Sequence, residues 1–179
     1  MRIIGGKYRG KRIDPPQGFK ARPTTDYARE SLFNILTNRI DFEAMEVLDL
    51  FSGTGCITYE FASRGAMMIH TIEKDYSNIS FIRRMVYEMK LINVKPVHID
   101  VKAFLKTCKF RYDIVFADPP YDLRWIDALP DMVFSAGILK EDGFMILEHS
   151  RSLSFSNNSF FFEHRNYGSV NFSFFRVKP

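Results

Sequence analysis

Asp118-Pro119-Pro120-Tyr121 follows directly on the apolar run Ile114-Val115-Phe116-Ala117. That run has the length and composition of a strand buried on both faces of a parallel sheet. Two consecutive prolines cannot continue a sheet ladder, so the strand stops at Asp118 and the chain leaves as a stiff, extended loop. In open α/β sheets ligands sit outside the carboxyl ends of the strands, which puts an acidic side chain, backbone carbonyls and an aromatic ring where chemistry usually occurs. The set suits methyl transfer to an exocyclic amine of a nucleobase. The lone pair of such an amine is delocalised into the ring. A carboxylate at Asp118 and the Pro119 carbonyl, accepting its two N–H groups, would hold the nitrogen with its lone pair turned toward an electrophilic methyl. Tyr121 would stack on a base taken out of its helix. The plainer alternative is a proline-stiffened strand exit with a surface tyrosine.

Upstream, residues 46–51 form the first strand, and Ser52-Gly53-Thr54-Gly55 turns it into a helix over 57–64 that closes with Gly65. A glycine-rich turn of this kind lets backbone N–H groups and a helix N-terminus approach a ligand. Thr58 stands at the place of the third glycine, so the dinucleotide fingerprint is incomplete. The second strand, Met68-Ile69-His70-Thr71-Ile72, ends at Glu73, an acidic residue at the distance from Gly53 that suits bonding to ribose hydroxyls. Ile79, Ile82, Val86 and Met89 mark the next helix and Pro96-Val97-His98-Ile99 the third strand. Asp100 ends that strand. It is placed to meet an adenine amino group or to cap the short helix through Phe104 and Leu105, and one residue can do both. After the fourth strand come a helix over 125–134, Gly143, and a fifth strand Phe144-Met145-Ile146-Leu147 ending at Glu148-His149. His149 reads as a structural residue at a strand end rather than a base.

The tail changes character. Residues 150–159 are rich in Ser and Asn and read as a mobile loop. Residues 160–165 and 170–176, joined by Asn166-Tyr167-Gly168-Ser169, read as a hairpin with Val170, Phe172 and Phe174 on the face packed against the core. At the other end, Gly5-Gly6, Gly10 and Pro15-Pro16 punctuate Arg2-Ile3-Ile4 and Lys11-Arg12-Ile13, which pair as a small hairpin or stay extended. Residues 1–22 hold seven basic side chains against Asp14 alone, a net of +6 in a chain whose total is +4. Basic residues interleaved with Tyr8 and Phe19 suit a phosphate backbone and unstacked bases; the alternative is a solvated tail. Pro23-Thr24-Thr25-Asp26 reads as a helix start with Thr as N-cap. Ala28, Leu32, Ile35 and Leu36 recur on the apolar face, and Arg29 and Glu30 fall off it.

The 179 residues, 46% of them apolar, are enough for one domain with a full core. The domain reading is a basic arm over 1–22 and a single catalytic domain over 23–179. No apolar run approaches the ~18 residues of a membrane span, no signal peptide is expected, and two cysteines, Cys56 and Cys108, fit a reducing cytoplasm.

Four segments together resemble the RsmD-type methyltransferases, which methylate the exocyclic N2 of one guanine in small-subunit (16S) ribosomal RNA. They are Arg2-Ile3-Ile4-Gly5-Gly6-Lys7-Tyr8-Arg9-Gly10, Arg22-Pro23-Thr24-Thr25-Asp26 with Arg29-Glu30-Ser31-Leu32-Phe33-Asn34, Asp49-Leu50-Phe51-Ser52-Gly53-Thr54-Gly55, and Asp118-Pro119-Pro120-Tyr121. The resemblance covers essentially the whole chain. Cys56 and Thr58 stand where the family more often has smaller residues, and Tyr27 where a basic one is common. The resemblance implies a Rossmann-like class I fold dependent on S-adenosylmethionine: a seven-stranded, mostly parallel sheet with helices on both faces and a C-terminal β-hairpin. It implies that Asp49, Phe51, Ser52, Gly53, Thr54, Gly55, Glu73, Asp100 and Val101 hold the cofactor. Asp118, Pro119 and Tyr121 would handle the base, and Arg2, Lys7, Arg9, Lys11, Arg12, Arg22, Thr24 and Arg29 would contact RNA. The implied partner is ribosomal RNA in an assembling or assembled small subunit, with no metal, no membrane and a monomer by default. Rival readings are a DNA or RNA adenine or cytosine amino-methyltransferase, the DNA enzyme disfavoured because so short a chain shows no obvious inserted domain for reading duplex sequence, and a nonenzymatic ribosome-assembly factor. A nucleotide-dependent oxidoreductase would leave the Asp-Pro-Pro-Tyr set unexplained.

Overall fold

The structure is a computed structural model that describes residues 1–15 and 25–177. Its elements alternate in chain order: α1 (Asp26–Thr37), β1 (Glu46–Leu50), α2 (Cys56–Ser63), β2 (Met68–Glu73), α3 (Tyr76–Glu88), β3 (Val94–His98), α4 (Val101–Thr107), β4 (Tyr112–Ala117), α5 (Leu129–Ser135), β5 (Leu139–His149), β6 (Phe161–Tyr167) and β7 (Val170–Arg176). The seven strands form one sheet in the order β3-β2-β1-β4-β5-β7-β6. Strands β1 to β5 pair in parallel, and β7 runs antiparallel to both of its neighbours. This is the expected class I methyltransferase sheet. Because β1 pairs with both β2 and β4, the order reverses at β1, which opens a crevice at the carboxyl ends of β1 and β4.

Two apolar cores cover the sheet. Leu32, Phe33 and Leu36 of α1 and Ile57 and Phe61 of α2 pack with Phe116, Phe172 and Phe174 on one face. Val101 and Leu105 of α4 and Leu129 and Val133 of α5 pack with Val115, Met145 and Phe175 on the other. The closing hairpin therefore differs from the alternating pattern read from it. Strand β7 lies between β5 and β6, so Asn171, Ser173 and Phe175 are buried as well as Val170, Phe172 and Phe174. The segment over 150–159 is not simply a mobile loop. Phe155, 5% exposed, packs edge-on against Phe175 at a centroid distance of 5.4 Å and anchors it. The helix expected over 125–134 is split into a single 3-10 turn, Ile126–Ala128, and α5, with Pro130 in the first turn of α5 where its missing N–H costs nothing. Strand β5 begins five residues earlier than its apolar run, at Leu139.

Thr25 caps α1, its hydroxyl accepting from the Ala28 N–H. Arg29 requires a correction. The sequence reading puts it off the apolar face and assigns it to RNA, yet it is 1% exposed. Residues 29, 32, 33 and 36 share one helical stripe, so Arg29 points inward with Leu32, Phe33 and Leu36. Its Nε donates to Glu60 Oε1 (3.3 Å), and its Nη2 donates to Asp26 Oδ1 (2.8 Å) and the Arg2 carbonyl (2.6 Å). Such a guanidinium ties α1, α2 and the N-terminus together and offers nothing to a phosphate.

The N-terminal segment folds back on itself. Ile3 N–H donates to the Lys11 carbonyl and Ile13 N–H to the Met1 carbonyl, both at 3.0 Å, about an antiparallel bridge between Arg2 and Arg12. It docks on α2: Ile4 N–H donates to Glu60 Oε1 (2.7 Å), Lys7 N–H to the Ser63 carbonyl (2.7 Å), and Ser63 Oγ–H to the Gly5 carbonyl (2.6 Å). Gly6 has φ +73°, and a Cβ there would fall 1.9 Å from the Ser63 oxygen. Only glycine lets the backbone come this close. Ile3 and Ile13 enter the core, while Arg2, Lys7, Arg9, Lys11 and Arg12 remain exposed. We expect Arg29→Ala to destabilise the fold by about 3 kcal/mol, the low end for breaking a buried pair because Glu60 keeps Arg64. Urea unfolding at neutral pH measures it, and an unchanged midpoint would contradict this role.

Candidate active site

The crevice at the reversal of strand order is a cleft of about 440 Å³. Its first wall is the turn after β1. Phe51 (φ +58°), Gly53 (φ +53°) and Gly55 (φ +83°) all take the left-handed conformation, which folds the chain sharply from β1 into α2. A Cβ at Gly55 would meet the Tyr59 ring at 2.8 Å, so that position is closed to other residues. Phe51 is a non-glycine residue held in this region, a strain of about 1 to 3 kcal/mol that concentrates at functional loops. Its ring lies against Trp125 (5.9 Å between centroids), over which Lys102 Nζ sits at 4.4 Å.

The second wall is the end of β2. Glu73, 7% exposed, accepts from the Gly53 N–H through Oε2 (2.8 Å) and from the Asp75 N–H through Oε1 (2.7 Å). Its carboxylate is thus fixed across the mouth between two strand-end loops. Asp100, two residues beyond β3, caps α4, its Oδ1 accepting from the N–H groups of Lys102 (2.9 Å) and Ala103 (3.3 Å). It also lines the cleft, beside Val101. The two readings of Asp100, as cap and as cleft residue, thus coexist in position.

The third wall is the exit from β4, where Asp118, Pro119, Pro120 and Tyr121 all line the cleft and Tyr121 is 56% exposed at its rim. The Leu123 N–H donates to the Pro120 carbonyl (2.9 Å), which turns the chain back. The cleft therefore brings together Phe51, Ser52, Gly53, Thr54, Glu73, Asp100 and Val101 on one side with Asp118, Pro119 and Tyr121 on the other.

Two residues expected in the cofactor set do not line it. Gly55 shapes the turn from behind. Asp49 is 1% exposed, and its Oδ2 accepts from the Thr58 N–H (3.1 Å) and the Thr58 hydroxyl (2.5 Å). Thr58 Oγ1 also lies 2.9 Å from Thr71 Oγ1. The residue that spoils the glycine fingerprint is thus a bolt between β1, α2 and β2. Burial pushes the Asp49 carboxyl up to about 7, against the opposing pull of the Thr58 and Ser52 hydrogen bonds. Burial likewise pushes the Cys56 thiol up to about 12, which removes it as a nucleophile although it borders the cleft.

Of the residues assigned to RNA, Arg2, Lys7, Arg9, Lys11 and Arg12 are exposed on the N-terminal hairpin, and Arg29 is interior. Arg22 and Thr24 lie outside the described residues, as do Lys20 and Phe19. Several lining residues fall outside the set the sequence assigns to the site: Ile72, Lys74, Asp75, Asn78 and Glu148. Glu148 bears a legible signal, an acidic residue following a strand-like run as Glu73 and Asp100 do. Its neighbour His149 is 1% exposed, with Nδ1 at 2.8 Å from the Ser150 carbonyl and Nε2 at 2.8 Å from Ser173 Oγ. Burial holds its imidazole below the ordinary value, and the ring is structural. Among the described residues, no helix is long and apolar enough to cross a membrane.

The fold is that of the S-adenosylmethionine-dependent methyltransferases. The chain superimposes on the Thermus thermophilus 16S rRNA N2 G1207 methyltransferase in complex with AdoMet and guanosine with a TM-score of 0.70, at 22% identity over 89% of this chain and 45% of that one. A hypothetical protein from the same organism superimposes with a TM-score of 0.86, at 29% identity over 99% of both chains. The family model described as Conserved hypothetical protein 95 matches residues 1–176. The chain belongs to that family, the RsmD family, as the sequence resemblance indicated. Its relative in Buchnera aphidicola subsp. Baizongia pistaciae, Ribosomal RNA small subunit methyltransferase D, is 30% identical over 86% of this chain and 78% of its own length.

The Asp49 carboxyl gives the site a pH signature. Its value rises on folding from the ordinary 3.8 to about 7, so ionisation opposes folding. The stability this group contributes is full below the unfolded value and is lost as pH rises toward the folded one. Asp49→Asn cannot ionise and keeps an oxygen for Thr58. Its stability relative to the parent protein is expected to rise between about pH 4 and pH 7. Urea unfolding of both proteins across that range measures the gap, and a gap independent of pH would contradict the buried-acid assignment.

Proposed function

We propose that this protein transfers a methyl group from S-adenosylmethionine to the exocyclic N2 of a guanine in 16S ribosomal RNA, within an assembling or assembled small subunit. The observation that carries the reading is the convergence in one cleft of the β1 turn, Glu73 and Asp100 with the Asp118-Pro119-Pro120-Tyr121 exit. The residues present fit the cofactor. Two acidic strand ends flank the apolar Ile72 and Val101, and about 440 Å³ is ample for a nucleoside-sized ligand. Glu73 would take ribose hydroxyls and Asp100 the adenine amine, with Phe51 and Val101 against the ring and the 52–54 backbone along the amino-acid part. When bound, the cofactor supplies a methyl already activated on a sulfonium.

The chain's own work is then positioning. The Asp118 carboxylate and the Pro119 carbonyl accept the two N–H groups of the guanine amine and aim its lone pair. Tyr121, exposed at the rim, clamps the base. The hairpin of residues 1–13 presents Arg2, Lys7, Arg9, Lys11 and Arg12 to phosphates, as part of a basic arm over 1–22 on a single catalytic domain over 23–179. Asp49 and Gly55 support the cofactor wall from behind. The enzyme works in the cytoplasm as a monomer and without a metal.

Asp118→Ala is expected to lower methyl transfer to ribosomal RNA by about 100-fold or more, with S-adenosylmethionine affinity little changed. Isotope transfer and calorimetry measure the two, and equal loss of both would contradict the assignment. Substituting Lys7, Arg9, Lys11 and Arg12 by Ser is expected to weaken RNA binding and to flatten its dependence on salt, by about 0.7 to 0.9 in slope for each phosphate contact removed. An unchanged slope would make the hairpin a solvated surface.

A further inference from the structure

Glu148 is a buried carboxyl that the positioning of the amine does not use. The parallel pairing of β4 with β5 runs to Ala117 opposite Leu147, so Asp118, the first residue beyond β4, and Glu148, the next residue of β5, stand at the same level of the sheet. Side chains alternate along a strand, and Ala117 and Leu147 belong to the core on one face. Asp118 and Glu148 therefore project from the other face, side by side. Both line the cleft, and Cys56, which also borders it, feels the charge of each. Glu148 is 2% exposed, so the wall beside Asp118 carries a second acceptor group shielded from water.

The geometry points to Glu148 as the residue that selects guanine, its carboxylate accepting the ring N1–H while Asp118 and Pro119 hold the neighbouring amine. This rests on the function proposed above and deepens it. On guanine one of the two ring nitrogens beside the amine-bearing carbon is a donor, N1–H, so on that edge two adjacent carboxylates face two adjacent donor groups. On adenine the atom beside the N6 amine is the N1 lone pair, and on cytosine, beside the N4 amine, it is the N3 lone pair. Either would set an acceptor against the Glu148 carboxylate. A buried site built around a hydrogen bond rejects a ligand that cannot make it far more strongly than a site that discriminates by shape. Base identity would then be read by the end of β5 and reactivity by the end of β4.

The test exchanges the donor without touching the reacting amine. Small subunits are reconstituted with guanine or 2-aminopurine at the methylated position. 2-Aminopurine keeps the N2 amine and presents a lone pair at N1. The parent enzyme is expected to lose roughly 10- to 100-fold in kcat/KM on 2-aminopurine. Glu148→Gln can turn a carboxamide N–H toward that lone pair and is expected to raise the ratio of 2-aminopurine to guanine transfer at least about tenfold. Loss of the 6-oxo group cannot produce such a rescue, nor can a merely structural Glu148. Equal transfer to both bases by the parent enzyme would overturn the inference, and so would an unmoved ratio in a Glu148→Gln protein of normal cofactor affinity. Should that variant not fold, Glu148→Asp, which keeps the carboxylate but draws it back from N1–H, is expected to lower guanine transfer while leaving 2-aminopurine transfer little changed, and an unmoved ratio there would overturn the inference. No transfer to guanine-bearing subunits would overturn the function on which the inference rests, and the inference with it.

Discussion

The structure turns on the reversal of strand order at β1. A parallel strand followed by a right-handed crossover sends the chain to one side of the sheet. From β1 the path runs outward through β2 to β3, and after α4 it returns to lay β4 on the other edge of β1. Connections leaving β1 and β4 therefore diverge, and the gap between their carboxyl ends becomes the cleft. Phe51, Ser52, Gly53, Thr54 and Asp118 stand at that gap, and Glu73, Asp100 and Glu148 line the cleft from the ends of the neighbouring strands and the loops after them. The two prolines after Asp118 matter for the same reason, since they hold the exit of β4 as an open edge where a helix would otherwise begin.

Behind the gap lies a polar layer that fixes the cleft's first wall. Asp49 sits on β1 below the turn, Thr58 in the first turn of α2, and Thr71 on β2, and their short hydrogen bonds lock the three elements together. A buried acid stabilised by a hydroxyl costs more than an apolar contact would. What it contributes is geometric, because it fixes β1, α2 and β2 around a turn that holds Phe51 in a left-handed conformation. Arg29 and Glu60 play the same part on the outer side of α2, where they join α1 and the N-terminal hairpin to the body of the domain. The basic surface is thereby carried on a rigid platform rather than on a loose tail.

The sheet, its order of elements and most of the cleft are legible in the sequence because parallel strands are continuous apolar runs with acidic residues at their ends. Asp118, Glu73 and Asp100 stand out in this way, and Glu148 carries the same mark. Arg29 is misread when a charged side chain is assumed to face solvent, since its spacing to Leu32, Phe33 and Leu36 puts it on the buried stripe. The motif alone places Asp49 in the cleft, whereas in the fold Thr58 captures it behind the turn. Strand β7 does not read as doubly buried, because alternation of Phe with Asn and Ser looks the same for an edge strand as for one whose polar residues meet partners inside. Asn171 and Ser173 are buried there beside His164 and His149.

The central claim is that the walls of the cleft meet to methylate the amine of a guanine. The most direct measurement is transfer of labelled methyl from S-adenosylmethionine to small ribosomal subunits isolated from cells lacking this protein, followed by nucleoside analysis of the RNA. Label in N2-methylguanosine is the expected result. Label in a different nucleoside, or none despite binding of the protein to the subunit, would contradict it.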